Sequence, residues 1–211
     1  MINKRLAQSN NKKARLSAYI PVMHELGHEI ADDFKHDALI EELKYAIDQK
    51  IKTNRKRRTK RIKKIWKSWI SELFADAVGI ALLGETAMDG LIKVLKNNGH
   101  PGELIRANAQ GTGYDPHPNP YMRSLMAIKI HNLIFNKKVT RSLSKIKNGT
   151  SILRDQYLMK DIPLRRLSRD IENMSKLIVN TPFICLNGLT LIDLGKVITD
   201  SAEFKEFKGR F

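Results

Sequence analysis

The chain reads as mainly α-helical with a small C-terminal α+β extension. Three observations lead there. Apolar residues recur at three- and four-residue spacing through roughly residues 16–136. Glycine, proline and asparagine cluster between those stretches. Asn187-Gly188 sits between two apolar runs within residues 182–197, a hairpin signal and the source of the expected β component.

The first helix is expected over residues 16–50. Ser17 is placed to cap it, and Pro21 falls in the first turn, where no backbone N–H needs a helical partner. Val22, Leu26 and Ile30 form one stripe, widened by Ile20, Met23 and Phe34. Asp32, Asp33, Asp37, Glu41 and Glu42 then fall on the outer face. Residues 50–64 read as a basic linker. A second helix over residues 61–83 is apolar nearly throughout (Ile65, Trp66, Trp69, Ile70, Leu73, Phe74, Val78, Ile80) and is closed by Gly84. Thr86 to Asp89 resembles a capping box that opens a helix ending at Asn97-Asn98-Gly99.

Residues 100–119 carry Pro101, Pro116 and Pro118 with Gly102, Gly111 and Gly113, and read as a loop. Asn119 and Pro120 are the expected N-cap and first residue of a helix to residue 136. Its Met122 and Met126 are core filler beside Leu125, Ile130 and Leu133. Residues 139–174 suggest short helices. The expected organisation is a core over residues 1–138 and an extension over residues 139–211, either separate or part of the same domain. His36 and His131 read as ordinary polar positions, and Cys185 as buried in an apolar run.

The chemistry is concentrated in the first helix. His24-Glu25-Leu26-Gly27-His28 is an HExxH motif. Residues four apart share a helix face, so both imidazoles can reach one metal ion. Glu25 is rotated by about 100°, close enough to act as general base on a water at that metal but not aimed as a ligand. Gly27 costs the helix about 1 kcal/mol against Ala, which makes sense if another element passes close beside the metal. A catalytic zinc needs a third protein ligand and an open fourth position. Glu72 is the best candidate. Asp76, four residues on, would accept the outer N–H of a ligand His. Carboxylates on so apolar a helix need partners, which a metal and a His supply.

A third element completes the pattern: His117-Pro118-Asn119-Pro120-Tyr121-Met122-Arg123. The order HExxH, ExxxD, HPxxxxR resembles the gluzincin zinc metallopeptidases, and among them the HtpX-like and CAAX prenyl endopeptidase group, over roughly residues 16–136. That resemblance implies a zincin-like helical metallopeptidase core and hydrolysis of peptide bonds in a peptide or protein substrate. It implies one Zn2+ per chain held by His24, His28 and Glu72, with Glu25 as base. His117 would lie beside the metal to stabilise the oxyanion, and Arg123 would hold that region together. Tyr121 and Tyr114 are further oxyanion candidates. His100 to Arg106 also fits HPxxxxR. The later copy is preferred, because its loop points at a helix N-terminus, where developing negative charge is favoured. Gluzincins commonly place a substrate-aligning strand upstream of HExxH, whereas residues 1–23 read as basic, polar and then helical.

Two other readings stand beside this one. Regulatory peptidases that cleave a repressor share HELGH and a downstream Glu-x-x-Ala-Asn/Asp segment, but the late HPxxxxR favours the first group. From a different class, a catalytically inactive metal-binding domain could hold nucleic acid or an anionic surface through residues 50–64. The formal net charge is +16. Residues 50–64 supply ten Lys/Arg and residues 1–23 supply five, with no acid in either, so the remainder is near neutral. A solvated linker between the two metal-binding helices, or the basic end of one of them, is the preferred reading of the run, and with no aromatics interleaved it lacks the means to stack on bases. A single cysteine excludes an intrachain disulfide and suggests a reducing compartment. The opening residues lack the apolar run of a signal peptide, and no stretch is long enough for a bilayer. A cytoplasmic protein without a transmembrane segment is therefore expected.

Overall fold

A computed structural model of the chain describes residues 19–33, 38–51, 56–98, 117–118, 120–137, 139, 157–159 and 162–209. The helices are α1 (Ile20–Asp33), α2 (Ala38–Lys50), α3 (Lys56–Leu83), α4 (Glu85–Asn98), α5 (Pro120–Phe135), α6 (Leu164–Asn180), α7 (Leu191–Asp200) and α8 (Ala202–Gly209). Between α5 and α6, β1 (Tyr157–Met159) pairs antiparallel with β2 (Ile162–Pro163). The expectation of a mainly α protein holds.

The 28-residue α3 organises the rest. Its C-terminal half, from Glu72 to Leu83, is buried on every side, as a helix apolar all round must be. Helices α1, α2, α4, α5, α6 and α7 all pack on it. Trp66 and Trp69 meet edge to face at 5.6 Å, and Phe74 meets Phe183 edge to face at 6.0 Å. One hydrophobic cluster runs from Met23 through Trp66, Met122 and Ile178 to Phe204, so the C-terminal helices share their core with the N-terminal ones. Among the described residues no helix is long and apolar enough to cross a membrane.

Several sequence expectations are corrected. The helix expected over residues 16–50 is two helices. A single rod of that length would span about 50 Å and offer α3 only one stripe. Breaking it lets α1 pack on α3 while α2 packs on both α3 and α6. Asp32 and Asp33 mark the end, because acidic residues oppose the dipole of a helix C-terminus. Of the basic run, the part from Lys56 onward is the start of α3, so of its two readings the basic end of a helix holds there, which suits Lys and Arg as good helix formers. Gly84 does close α3, in the left-handed region at φ 61°. The next helix starts at once with Glu85, which places Thr86 inside α4 rather than at its cap.

Asn187 and Gly188, at φ 54° and 84°, form a tight turn closed by the Phe183–Leu189 bridge. No second hairpin strand follows it. Thr190 and Asp193 form a reciprocal capping box that launches α7 instead. Within residues 139–174, the described part includes the start of the 17-residue α6 rather than only short helices. Glu42, expected to face solvent, accepts hydrogen bonds from the backbone N–H groups of Ile184 (2.7 Å) and Cys185 (3.0 Å). Cys185 is half-buried. His131 is buried, not an ordinary polar position, and its ring lies 4.9 Å from that of Phe135. Ser17, Phe34, His36, His100, Tyr114 and Asn119 lie outside the described residues, as does the side chain of Tyr121.

Candidate metal centre

Helices α1 and α3 run antiparallel in close contact. Met23 faces Gly79, Gly27 faces Ala75, and His28 reaches Ser71. The contact is tightest at Gly27, where a Cβ would lie 2.5 Å from the Ala75 Cα. The small residue that the sequence placed inside HExxH is thus the point where the second helix passes. This approach sets the two histidines of α1 over Glu72 and Asp76 of α3.

Three donor groups converge there. The His24 and His28 Nε2 atoms are 3.2 Å apart. His28 Nε2 lies 3.3 Å from Glu72 Oε1, and His24 Nε2 lies 3.5 Å from Glu72 Oε2. Ligands about 2.0–2.1 Å from a tetrahedral ion are separated from one another by about 3.3–3.4 Å. The two Glu72 distances run to different oxygens of the carboxylate. One ligand atom from each of His24, His28 and Glu72 lies within 4.8 Å of the others, so the three could hold a metal ion together. Glu25 stays out of the group and is exposed to solvent, as its rotation within the motif requires.

The outer atoms of these ligands are also supported. His24 Nδ1 lies 3.0 Å from Asp76 Oδ1, close but with its N–H axis off the oxygen. Asp76 is gripped bidentately by Arg123, whose Nε and Nη2 donate to the two carboxylate oxygens at 2.8 and 2.7 Å. A third Arg123 nitrogen, Nη1, is 3.5 Å from Glu72 Oε2. Arg123 is brought there by α5, which begins at Pro120 as its N-terminal signal predicted. His117, just ahead of α5, places its Nε2 3.6 Å from Glu72 Oε1 with most of the ring in solvent. Of the seven site residues proposed from sequence, His24, His28, Glu72, Asp76, His117 and Arg123 meet in one cluster, while Glu25 is exposed to solvent on the same turn of α1 as the two histidines.

The electrostatics favour a cation. Burial alone would lower the His24 pKa, but the adjoining carboxylates of Asp76 and Glu72 outweigh it and raise it to about 9. Burial alone would raise the Glu72 carboxyl. The adjoining His24 ring and the charges of Arg123, His24 and His117 overcome that and hold it at about 2. Two buried carboxylates against one guanidinium leave a negative excess, which a proton on His24 or a metal ion would offset.

Ser71 was not singled out from sequence. Its Oγ lies 3.3 Å from His28 Nδ1. When His28 Nε2 is a metal ligand, Nδ1 carries the proton and donates to this hydroxyl, which fixes the ring. The only signal was a hydroxyl beside Glu72 on an otherwise apolar helix. Ser71→Ala is expected to weaken metal binding by about tenfold, read by competition with a chromogenic chelator. An unchanged affinity would remove Ser71 from this role.

Comparison with protein-family models, curated proteins and solved structures returned no match.

Proposed function

We propose that the chain is a zinc-dependent metallopeptidase with a zincin-like core, in which His24, His28 and Glu72 hold the metal. The observation that carries this reading is the convergence of the His24 and His28 Nε2 atoms, 3.2 Å apart, on the Glu72 carboxylate, whose two oxygens lie 3.5 and 3.3 Å from them, with Glu25 in the same helical turn and open to solvent. The motif order adds the resemblance to HtpX-like and CAAX prenyl endopeptidases.

Zinc bound there would supply Lewis acidity and make water nucleophilic near neutral pH. Glu25 takes the proton from the attacking water as its oxygen bonds to the peptide carbonyl carbon. It then hands that proton to the departing nitrogen as the C–N bond breaks, leaving a carboxylate and an amine. His117, exposed beside Glu72, is placed to donate to the oxygen that becomes negative. Asp76 and Arg123 keep His24 oriented while this occurs.

The test is hydrolysis of a fluorogenic peptide library by the zinc-loaded protein beside Glu25→Gln. General-base catalysis contributes about 10²–10⁴ in rate, so Glu25→Gln should lose at least two orders of magnitude in kcat with zinc retained. Equal cleavage by both proteins would contradict the reading.

A further inference from the structure

The two oxygens of the Glu72 carboxylate have different neighbours. Oε2 lies 3.5 Å from both His24 Nε2 and Arg123 Nη1, so a guanidinium already stands on that side. Oε1 lies 3.3 Å from His28 Nε2 and 3.6 Å from His117 Nε2. Two ligands of one tetrahedral zinc ion are separated by about 3.3–3.4 Å. Oε1 therefore has two imidazole nitrogens near that separation, one from α1 and one from the residues ahead of α5. His24, His28 and Glu72 form the set whose donor atoms lie within 4.8 Å of one another, and His117 stands outside it. It is also held differently. Its side chain is 63% exposed, against 18% for His24 and 24% for His28. The next residue, Pro118, is buried, and α5 begins at Pro120. The backbone is thus anchored beside the centre while the ring is largely in water, where side chains change rotamer within picoseconds to nanoseconds.

A zinc ion with three protein ligands keeps its fourth position for water, and a fourth protein ligand closes it. We infer that His117 Nε2 takes that fourth position when no substrate is bound, so that the metal centre is closed at rest and a peptide must displace His117 to enter. The inference rests on the peptidase reading and adds a regulation of that same site.

The change asks little of the fold. A rotation of an exposed ring needs no backbone movement, and a neutral imidazole leaves the charge of the centre as it is. While Nε2 is a ligand, the ring proton sits on Nδ1. Once displaced, the ring exchanges its proton with water, and Nε2–H is again available to donate to the oxyanion. One residue then closes the centre at rest and serves the reaction afterwards. The competing role is a hydrogen bond from His117 to Glu72 Oε1 with no contact to the metal. Asparagine separates the two, because its amide can donate such a bond but is not among the usual zinc ligands.

The experiment is azide titration of the cobalt(II)-substituted full chain, followed by the visible d–d absorption bands, beside His117→Ala and His117→Asn. With His117 in the fourth position in about nine molecules of ten, azide must compete for it and binds about tenfold more weakly to the parent than to either variant. Without azide, the bands of the parent should differ from those of both variants, in which water replaces a nitrogen ligand. Equal azide affinity and equal azide-free bands in all three proteins overturn this inference and leave the peptidase reading standing. A His117→Asn protein that behaves as the parent while His117→Ala does not also overturns it, in favour of the hydrogen bond to Glu72. Failure of all three proteins to take up cobalt overturns both.

Discussion

Gly27→Ala is expected to destabilise the protein and weaken metal binding in the same step. In an isolated helix this substitution would stabilise by about 1 kcal/mol. Here the new Cβ would sit 2.5 Å from the Cα and 2.9 Å from the carbonyl oxygen of Ala75, both backbone atoms. Neither can yield unless α1 moves off α3. Overpacking of this kind costs about 1–3 kcal/mol, occasionally more, so the sign reverses. The displacement would carry His24 and His28 away from Glu72, and zinc affinity should fall with stability. Gly79→Ala is the matched control at the same helix pair. Its Cβ would lie 3.7 Å from the Met23 Cβ, an ordinary contact, and the variant should be neutral or slightly stabilised. Urea denaturation of both variants checks this. A Gly27→Ala protein as stable as the parent would contradict the close approach.

Arg123→Met is expected to be nearly as severe. The Asp76 side chain is 3% exposed and receives two hydrogen bonds from Arg123. Removing one partner of a buried ion pair costs about 3–5 kcal/mol, because the remaining charge stays buried and uncompensated. Adding Asp76→Leu to Arg123→Met should recover part of that loss, since no buried carboxylate is then stranded. The double variant should nonetheless bind zinc less tightly than the parent, because His24 has lost the group facing its Nδ1. Denaturation of the two single variants and the double, taken as a double-mutant cycle, measures the coupling. Additive losses would mean that Arg123 and Asp76 do not act as a unit.

Much of the candidate site was legible because its signals are local or helically periodic. HExxH and Glu72/Asp76 each use four-residue spacing. Carboxylates on so apolar a helix announced that they needed partners. Gly27 announced a close approach. Other features depend on contacts that no local pattern carries. Ser71 acquires its role only when α1 crosses α3. Glu42 finds its partners at Ile184 and Cys185, more than 140 residues away. The break between α1 and α2 was hidden because apolar spacing continues across it, although Asp32 and Asp33 marked the end. The hairpin signal at Asn187-Gly188 correctly located a tight turn, but the Thr190–Asp193 capping box overrode the second strand. Charge dominates the composition of the basic run, so its sequence alone does not decide between a linker and the basic end of a helix. The buried Ile62 and Ile65 draw it into α3.

The most direct test of the central claim is metal content by mass spectrometry, on protein purified without added metal, beside Glu25→Gln and His28→Ala. The account predicts about one zinc per chain in the parent and in Glu25→Gln, and loss of zinc in His28→Ala. No bound zinc in the parent, or full retention in His28→Ala, would contradict it.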